Sequence, residues 1–121
     1  MTAFYIEIGV CAKDGSGAKT VRMKANTGAR YTRLPGCVLR ELGWEPSPYD
    51  LPWGWPMALV YQTGLQVGEV KFRVDGEDYL HSVIFGADDC EPTLGEWSAE
   101  GFVLEVDEAN QRVIPMRVIY L

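Results

Sequence analysis

The sequence predicts a single, mainly antiparallel all-β domain with one or two short helices. β-rich runs of alternating polarity recur along the chain, Gly- and Asp-rich turns separate them, and apolar residues at helical spacing are confined to short stretches. A chain of 121 residues has the length of one domain, so residues 1–121 are taken as one unit. Its 47% hydrophobic and 23% charged residues are typical of a folded globular protein.

Two β-hairpins are expected. Residues 4–12 and 18–25 flank a turn at residues 14–17 that is rich in Gly and Asp. A second turn at residues 75–78 separates two further β-rich runs. The other predicted strands are residues 57–62, 66–74, 79–85, 103–106 and 112–121, the last interrupted at Pro115.

One short helix is predicted after Pro35, whose missing N–H costs nothing in the first turn of a helix. Val38, Leu39 and Leu42 then share one face, and Gly43 ends the helix.

A second helical segment, of one or two turns, is predicted at residues 95–100. Residues 45–56 contain four prolines and several aromatic residues, which favours a loop anchored by its aromatic side chains.

Charge and cysteine content exclude several classes of partner. The net charge is −6 and the pI is about 4.7, and the basic residues are dispersed along the sequence, so we expect no nucleic-acid or membrane partner. Residues 1–10 lack the pattern of a signal peptide, and no apolar stretch is long enough to cross a membrane, so a cytoplasmic protein is expected. Cys11, Cys37 and Cys90 form no CxxC pair and are predicted to be small buried residues in a reducing compartment.

The sequence predicts no metal and no cofactor. His81 is the only histidine, and no cysteine stands at ligand spacing from it, so it is expected to be structural. Asp88, Asp89 and Glu91 form an acidic run before Pro92 that is more typical of a solvated loop than of a cation site. Phosphate-loop, GxSxG and HExxH patterns do not occur.

The strongest functional signal is Asn26-Thr27-Gly28-Ala29, which follows the predicted strand 18–25. The order of strand, turn and short helix ending in Gly is loosely repeated at residues 79–101. The other matching segments are Val83-Ile84-Phe85-Gly86, Glu91-Pro92-Thr93-Leu94-Gly95, Leu104-Glu105-Val106-Asp107 and residues 110–115. In this order and spacing the chain resembles the retropepsin-like aspartic proteases, with Asn26 at the position of the catalytic Asp.

The resemblance implies a closed, mainly antiparallel acid-protease barrel of two pseudo-symmetric halves. It also implies a homodimer, because each subunit of the family supplies one aspartate to a site on the two-fold axis. A peptide substrate in an extended conformation would bind between the subunits. The apolar residues 118–121 are expected to pair at the dimer interface.

The same resemblance assigns the site residues of this chain. The catalytic positions are Asn26, Thr27 and Gly28, and the substrate-binding positions are Ala29, Arg30, Trp53, Trp55, Leu94 and Gly95. Leu94 and Gly95 would also support the active-site turn. The hairpin flap that covers the substrate in the family falls either at residues 52–56 or at residues 57–64; alternatively, the tryptophans of this region cover the core or the dimer surface.

Asn26 predicts that the chain is inactive as written. Two neighbouring carboxylates share one proton, so the ionised one activates water and the protonated one donates to the oxyanion. An amide has no titratable proton, and losing acid–base assistance costs on the order of 10²–10⁴-fold in rate.

The origin and consequence of Asn26 stay open at this point. The intact flanking residues favour an engineered Asp→Asn change over a natural loss. Arg30 is a second departure, because the family more often has a small hydroxyl residue there. The alternative function is a non-catalytic pseudoprotease that acts as a peptide-binding or dimerisation module, and a small β-barrel with a chance motif is a weaker third.

Overall fold

Strands dominate the computed structural model, which describes residues 3–25, 28–47, 64–95, 104–107, 109–110 and 112–115. The elements within these ranges are β1 (Phe4–Cys11), β2 (Ala18–Ala25), β3 (Arg33–Pro35), α1 (Gly36–Glu41), β4 (Val67–Val74), β5 (Glu77–Gly86), β6 (Leu104–Asp107) and β7 (Arg112–Pro115). The prediction of a mainly antiparallel β-protein with a short helix is confirmed at this level. No helix in these ranges is long and apolar enough to span a membrane.

Five strands form one sheet in the order β2-β1-β4-β5-β3, and β6 pairs with β7 in a second. The first predicted hairpin is confirmed, because β1 and β2 pair antiparallel from Phe4↔Ala25 to Cys11↔Ala18. β6 and β7 are also antiparallel neighbours.

The second predicted hairpin is confirmed with a shorter turn than expected. β4 and β5 pair antiparallel up to Val74↔Glu77, so the turn consists of Asp75 and Gly76 alone. Both residues have positive φ, +53° and +81°, which is the conformation of a two-residue hairpin turn whose twist matches that of its strands. The pairing therefore begins two residues before the predicted strand 79–85.

The predicted helix is present, one residue later than Pro35. Pro35 is its N-cap residue, with φ −56° and ψ 130°, and the helix begins at Gly36. Gly43, with φ +92°, follows the C-cap, and its N–H donates to Arg40 O at 3.0 Å. Leu39 is buried, while Val38 and Leu42 pack against the core at its edge.

The core lies between the five-stranded sheet and α1. Its largest fully buried side chains are Phe72, Met23, Leu34, Leu39, Val10, Val70 and Val83. Trp44, just beyond the helix, packs against this cluster and donates from Nε1 to Cys11 O at 2.7 Å. The core thus ties the helix to the end of β1.

Two strand pairings were not predicted from the sequence. β3 runs parallel to β5, from Arg33↔Ile84 to Pro35↔Gly86, and β1 pairs with β4 at Gly9↔Arg73 and Val10↔Phe72. Several predictions fall outside the described residues. They are the strand 57–62, the helical turns 95–100 beyond Gly95, the flap candidate 52–56, the flap candidate 57–64 apart from Gly64, and residues 116–121.

Candidate functional site

Residues 92–94 lie in space between the end of β2 and the start of β3 and form backbone hydrogen bonds to both strands. The N–H of Lys24 donates to Pro92 O at 2.8 Å, and the N–H of Leu94 donates to Lys24 O at 2.9 Å. On its other side, the N–H of Arg33 donates to Thr93 O at 3.0 Å and that of Thr93 to Arg33 O at 2.9 Å. The chain between Lys24 and Arg33, which includes the Asn26 motif, is therefore held at both ends.

Gly95 packs directly against the backbone that follows the motif. Its N–H donates to Thr32 Oγ1 at 3.0 Å, and both residues are buried. A Cβ on Gly95 would lie 2.5 Å from Arg30 O and 2.6 Å from Thr32 N, which is closer than a side-chain carbon can approach backbone atoms. Only glycine fits here, so Gly95 supports the segment after the motif. Support of the active-site turn itself by Leu94 and Gly95 stays a prediction.

The far side of Thr32 is fixed as well. Its carbonyl accepts a hydrogen bond from the N–H of Ile84 at 2.9 Å, which extends the parallel pairing of β3 with β5 by one step. The residues just past the motif are thus held between β5 and the Thr93–Gly95 segment.

A cavity of about 520 Å³ opens on this arrangement. Gly28, Ala29, Arg30 and Tyr31 line it from the motif loop. Gly28 has φ +81° and no heavy atom within 4 Å of the place of a Cβ, so its backbone is accessible from the cavity.

Charged residues line the rest of the cavity. Lys24, Arg33 and Glu91 contribute to its wall beside Arg30, with Ile84 and Thr93 between them. The three cations form no ion pair with any carboxylate in the part of the chain that the structure describes.

Glu91 is held from outside the cavity by Tyr5. The Tyr5 hydroxyl donates to Glu91 Oε1 at 2.6 Å, and this hydrogen bond raises the pKa of Tyr5. The guanidinium of Arg22 lies 4.3 Å from the centroid of the Tyr5 ring, a cation–π distance. Tyr5 therefore orients the only carboxylate among the described residues of the cavity wall.

The predicted site residues fall into three groups. Gly28, Ala29 and Arg30 line the cavity together. Leu94 and Gly95 are buried beneath these residues, and their contact with a substrate stays a prediction. The remaining positions, Asn26, Thr27, Trp53 and Trp55, lie outside the described residues.

The sequence reasoning missed Lys24 and Arg33. Lys24 stands between the buried residues Met23 and Ala25, so strand alternation alone places it on the opposite face of β2. Arg33 bridges to Thr93 and borders the same cavity, and its side-chain stem packs against Gly86, so it also borders a second cavity beside Cys90. The fold therefore places basic residues that are dispersed in the sequence around one cavity.

The three cysteines differ in their exposure to solvent. Cys11 is buried, as expected, but Cys37 is exposed near the start of α1 and Cys90 is half-buried, and all three are free thiols. Burial raises the pKa of the Cys90 thiol and lowers that of His81 on β5. Among the described residues, no three His, Cys, Asp or Glu side chains are grouped as metal ligands.

Comparison with solved structures finds a protein with a similar fold. The crystal structure of a retropepsin-like aspartic protease from Rickettsia conorii matches with a TM-score of 0.50, covering 89% of this chain and 90% of the other. The fold of the chain resembles that of a retropepsin-like protease. The two sequences are 17% identical, so the likeness concerns the fold alone. No family model and no curated protein matches the chain.

Proposed function

We propose that residues 1–121 are one subunit of a homodimeric aspartic endopeptidase of the retropepsin type, which Asn26 makes inactive. The observation that carries the proposal is the Thr93–Gly95 segment bonded between β2 and β3, which holds the Asn26 motif at both ends. The fold likeness to a retropepsin-like protease supports the same function.

In the active form, an Asp at position 26 of each subunit would meet its partner at the two-fold axis. The ionised carboxylate takes a proton from water, which attacks the peptide carbonyl, while the protonated carboxyl donates to the developing oxyanion. Thr27 braces the two loops across the axis, and Gly28, which has no side chain, leaves room for the substrate backbone. The barrel closes around an extended peptide, and no metal or cofactor takes part.

Restoring the carboxylate tests this function. Asn26→Asp is expected to cleave an unstructured peptide library at mildly acidic pH, at a rate exceeding that of the original chain by at least on the order of 10²-fold. The rate should depend on two ionisations, because one carboxyl must be protonated and the other ionised.

Asn26→Ala is the matched control, because it also changes the side chain but supplies no acid, and it should stay as inert as Asn26. Far-UV circular dichroism and sedimentation show whether the restored protein is folded and dimeric. A folded, dimeric Asn26→Asp protein that cleaves no peptide would overturn the proposal.

Asn26 itself favours a second candidate, a non-catalytic module that binds peptides or dimerises through the same fold. Arg30 points the same way, because a bulky cation in the cavity is a second departure from the family pattern. This candidate predicts that the original chain and Asn26→Asp bind the same peptides with similar affinity and that neither cleaves them.

A further inference from the structure

We propose that the 520 Å³ cavity binds an acidic side chain of the peptide that the chain recognises. The inference depends on the proposed function only for the nature of the ligand, an extended peptide. The charge preference follows from the cavity wall itself.

The cavity carries a positive charge in an acidic protein. Among the described residues of its wall, Lys24, Arg30 and Arg33 are basic and Glu91 is acidic, a formal balance of +2, with Arg33 shared with a neighbouring cavity. The whole chain has 11 basic and 17 acidic residues, so this local excess opposes the overall balance of −6. Exposed charges beyond about 8–10 Å are screened at physiological salt, so a ligand inside the cavity responds mainly to the wall.

None of the three cations is paired with a carboxylate of the described residues. The ion pairs of the described residues lie elsewhere and join Lys19 to Glu41, Arg40 to Glu45 and Arg73 to Asp78. Glu91 is the one acid among the described residues of the wall, and its Oε1 already accepts a hydrogen bond from Tyr5. With respect to the described carboxylates, the positive charges are therefore available to a carboxylate of a ligand.

The backbone fixes two of these cations at a set separation. Lys24 and Arg33 both bridge to Thr93, one from each side of the same segment. Their Cα positions are therefore set before a ligand arrives, which lowers the ordering cost of binding. Ile84, which is buried, supplies an apolar wall beside them for the stem of an acidic side chain.

The size of the cavity suits a peptide side chain with its flanking backbone. Ligand pockets typically enclose about 300–1,000 Å³, and this cavity lies within that range. The accessible backbone of Gly28 lies in the same wall, so the main chain of a peptide can approach while one side chain reaches the cations.

The chain with Asn26 allows binding to be measured without cleavage. Fluorescent extended peptides carrying Glu or Gln at one position at a time differ only by a charge. At the position that enters the cavity, the Glu peptide is expected to bind about tenfold more tightly, the sum of two or three partly exposed charge pairs. The preference should shrink at 0.5 M salt.

Substitutions in the wall locate the effect. Lys24→Gln and Arg33→Gln should each reduce the Glu-over-Gln preference severalfold, whereas Glu91→Gln should increase it. Lys19→Gln is the control, since it removes a positive charge from the same strand but outside the cavity, and it should leave the preference unchanged. Thermal unfolding of each variant verifies that it is folded.

Equal binding of Glu and Gln peptides at every position overturns the inference, as does the absence of binding by any peptide of the set. An equal effect of Lys19→Gln and Lys24→Gln also overturns it. If Asn26→Asp cleaves peptides without any acidic preference, the proposed function stands and this inference fails. If Asn26→Asp cleaves nothing but the Lys24-dependent preference is present, the endopeptidase function fails and this inference stands.

Discussion

The buried N–H of Gly95 donates a hydrogen bond to Thr32 Oγ1 at 3.0 Å, across 63 positions of sequence. This contact joins the segment after Pro92 to the backbone that follows the Asn26 motif. Because Gly95 touches backbone on three consecutive residues, Arg30, Tyr31 and Thr32, the two segments cannot shift independently.

Gly95→Ala should destabilise the protein strongly. Its Cβ would meet backbone atoms at 2.5 and 2.6 Å, so main chain must move, and we expect a loss of about 3 kcal/mol or more in the free energy of unfolding measured with urea. Gly15→Ala is the control: Gly15 has φ +79° but open space around it, so only backbone strain of about 1–2 kcal/mol applies. Equal losses in the two variants would contradict the close packing.

Thr32→Val should leave the N–H of Gly95 without its acceptor at nearly constant volume. A buried donor without a partner costs about 1–3 kcal/mol, so the unfolding free energy should fall by that amount. Thr32→Ser keeps the hydroxyl and serves as the control. Hydrogen exchange of the Gly95 amide should speed up relative to the global rate in Thr32→Val only; an unchanged exchange rate there would refute the role of the hydroxyl.

The protein should become less stable as pH falls below neutrality. Burial lowers the pKa of His81 in the folded state, so between the folded pKa and the unfolded value of about 6.5 the unfolded chain binds more protons. Stability is therefore lost as pH falls through about 6.5. Urea midpoints at pH 7.5 and 5.5 should differ less in His81→Gln than in the original chain, and an identical difference would exclude His81 as the cause.

Deleting residues 117–121 should shift a dimer toward monomers. These residues lie outside the described ranges, and the prediction rests on their apolar, β-prone sequence and on the family resemblance. Sedimentation velocity over a range of concentrations measures the change, with far-UV circular dichroism as the check on folding. A dimer of undiminished affinity would remove this segment from the interface.

The local elements of the fold followed from the sequence because their causes are local. The Asp75-Gly76 turn adopts positive φ at both residues, and Gly43 ends α1, for reasons of backbone sterics within a few residues. The position of the candidate site was inferred from motif order, and it stays a prediction because Asn26 and Thr27 lie outside the described residues. The predicted turn 75–78 was too long because Glu77 and Asp78 are both polar, and two exposed polar residues suit the end of a strand as well as a turn.

The sequence by itself therefore determined the hairpins and the helix, and it predicts the place of the Asn26 motif. The tertiary structure alone decided the β1–β4 and β3–β5 pairings and the bridging of Lys24 and Arg33 by Thr93. These contacts join residues that are 51 to 69 positions apart in the sequence. They depend on how the whole chain packs. For this reason the grouping of Lys24, Arg30 and Arg33 beside the motif can be recognised only from the fold.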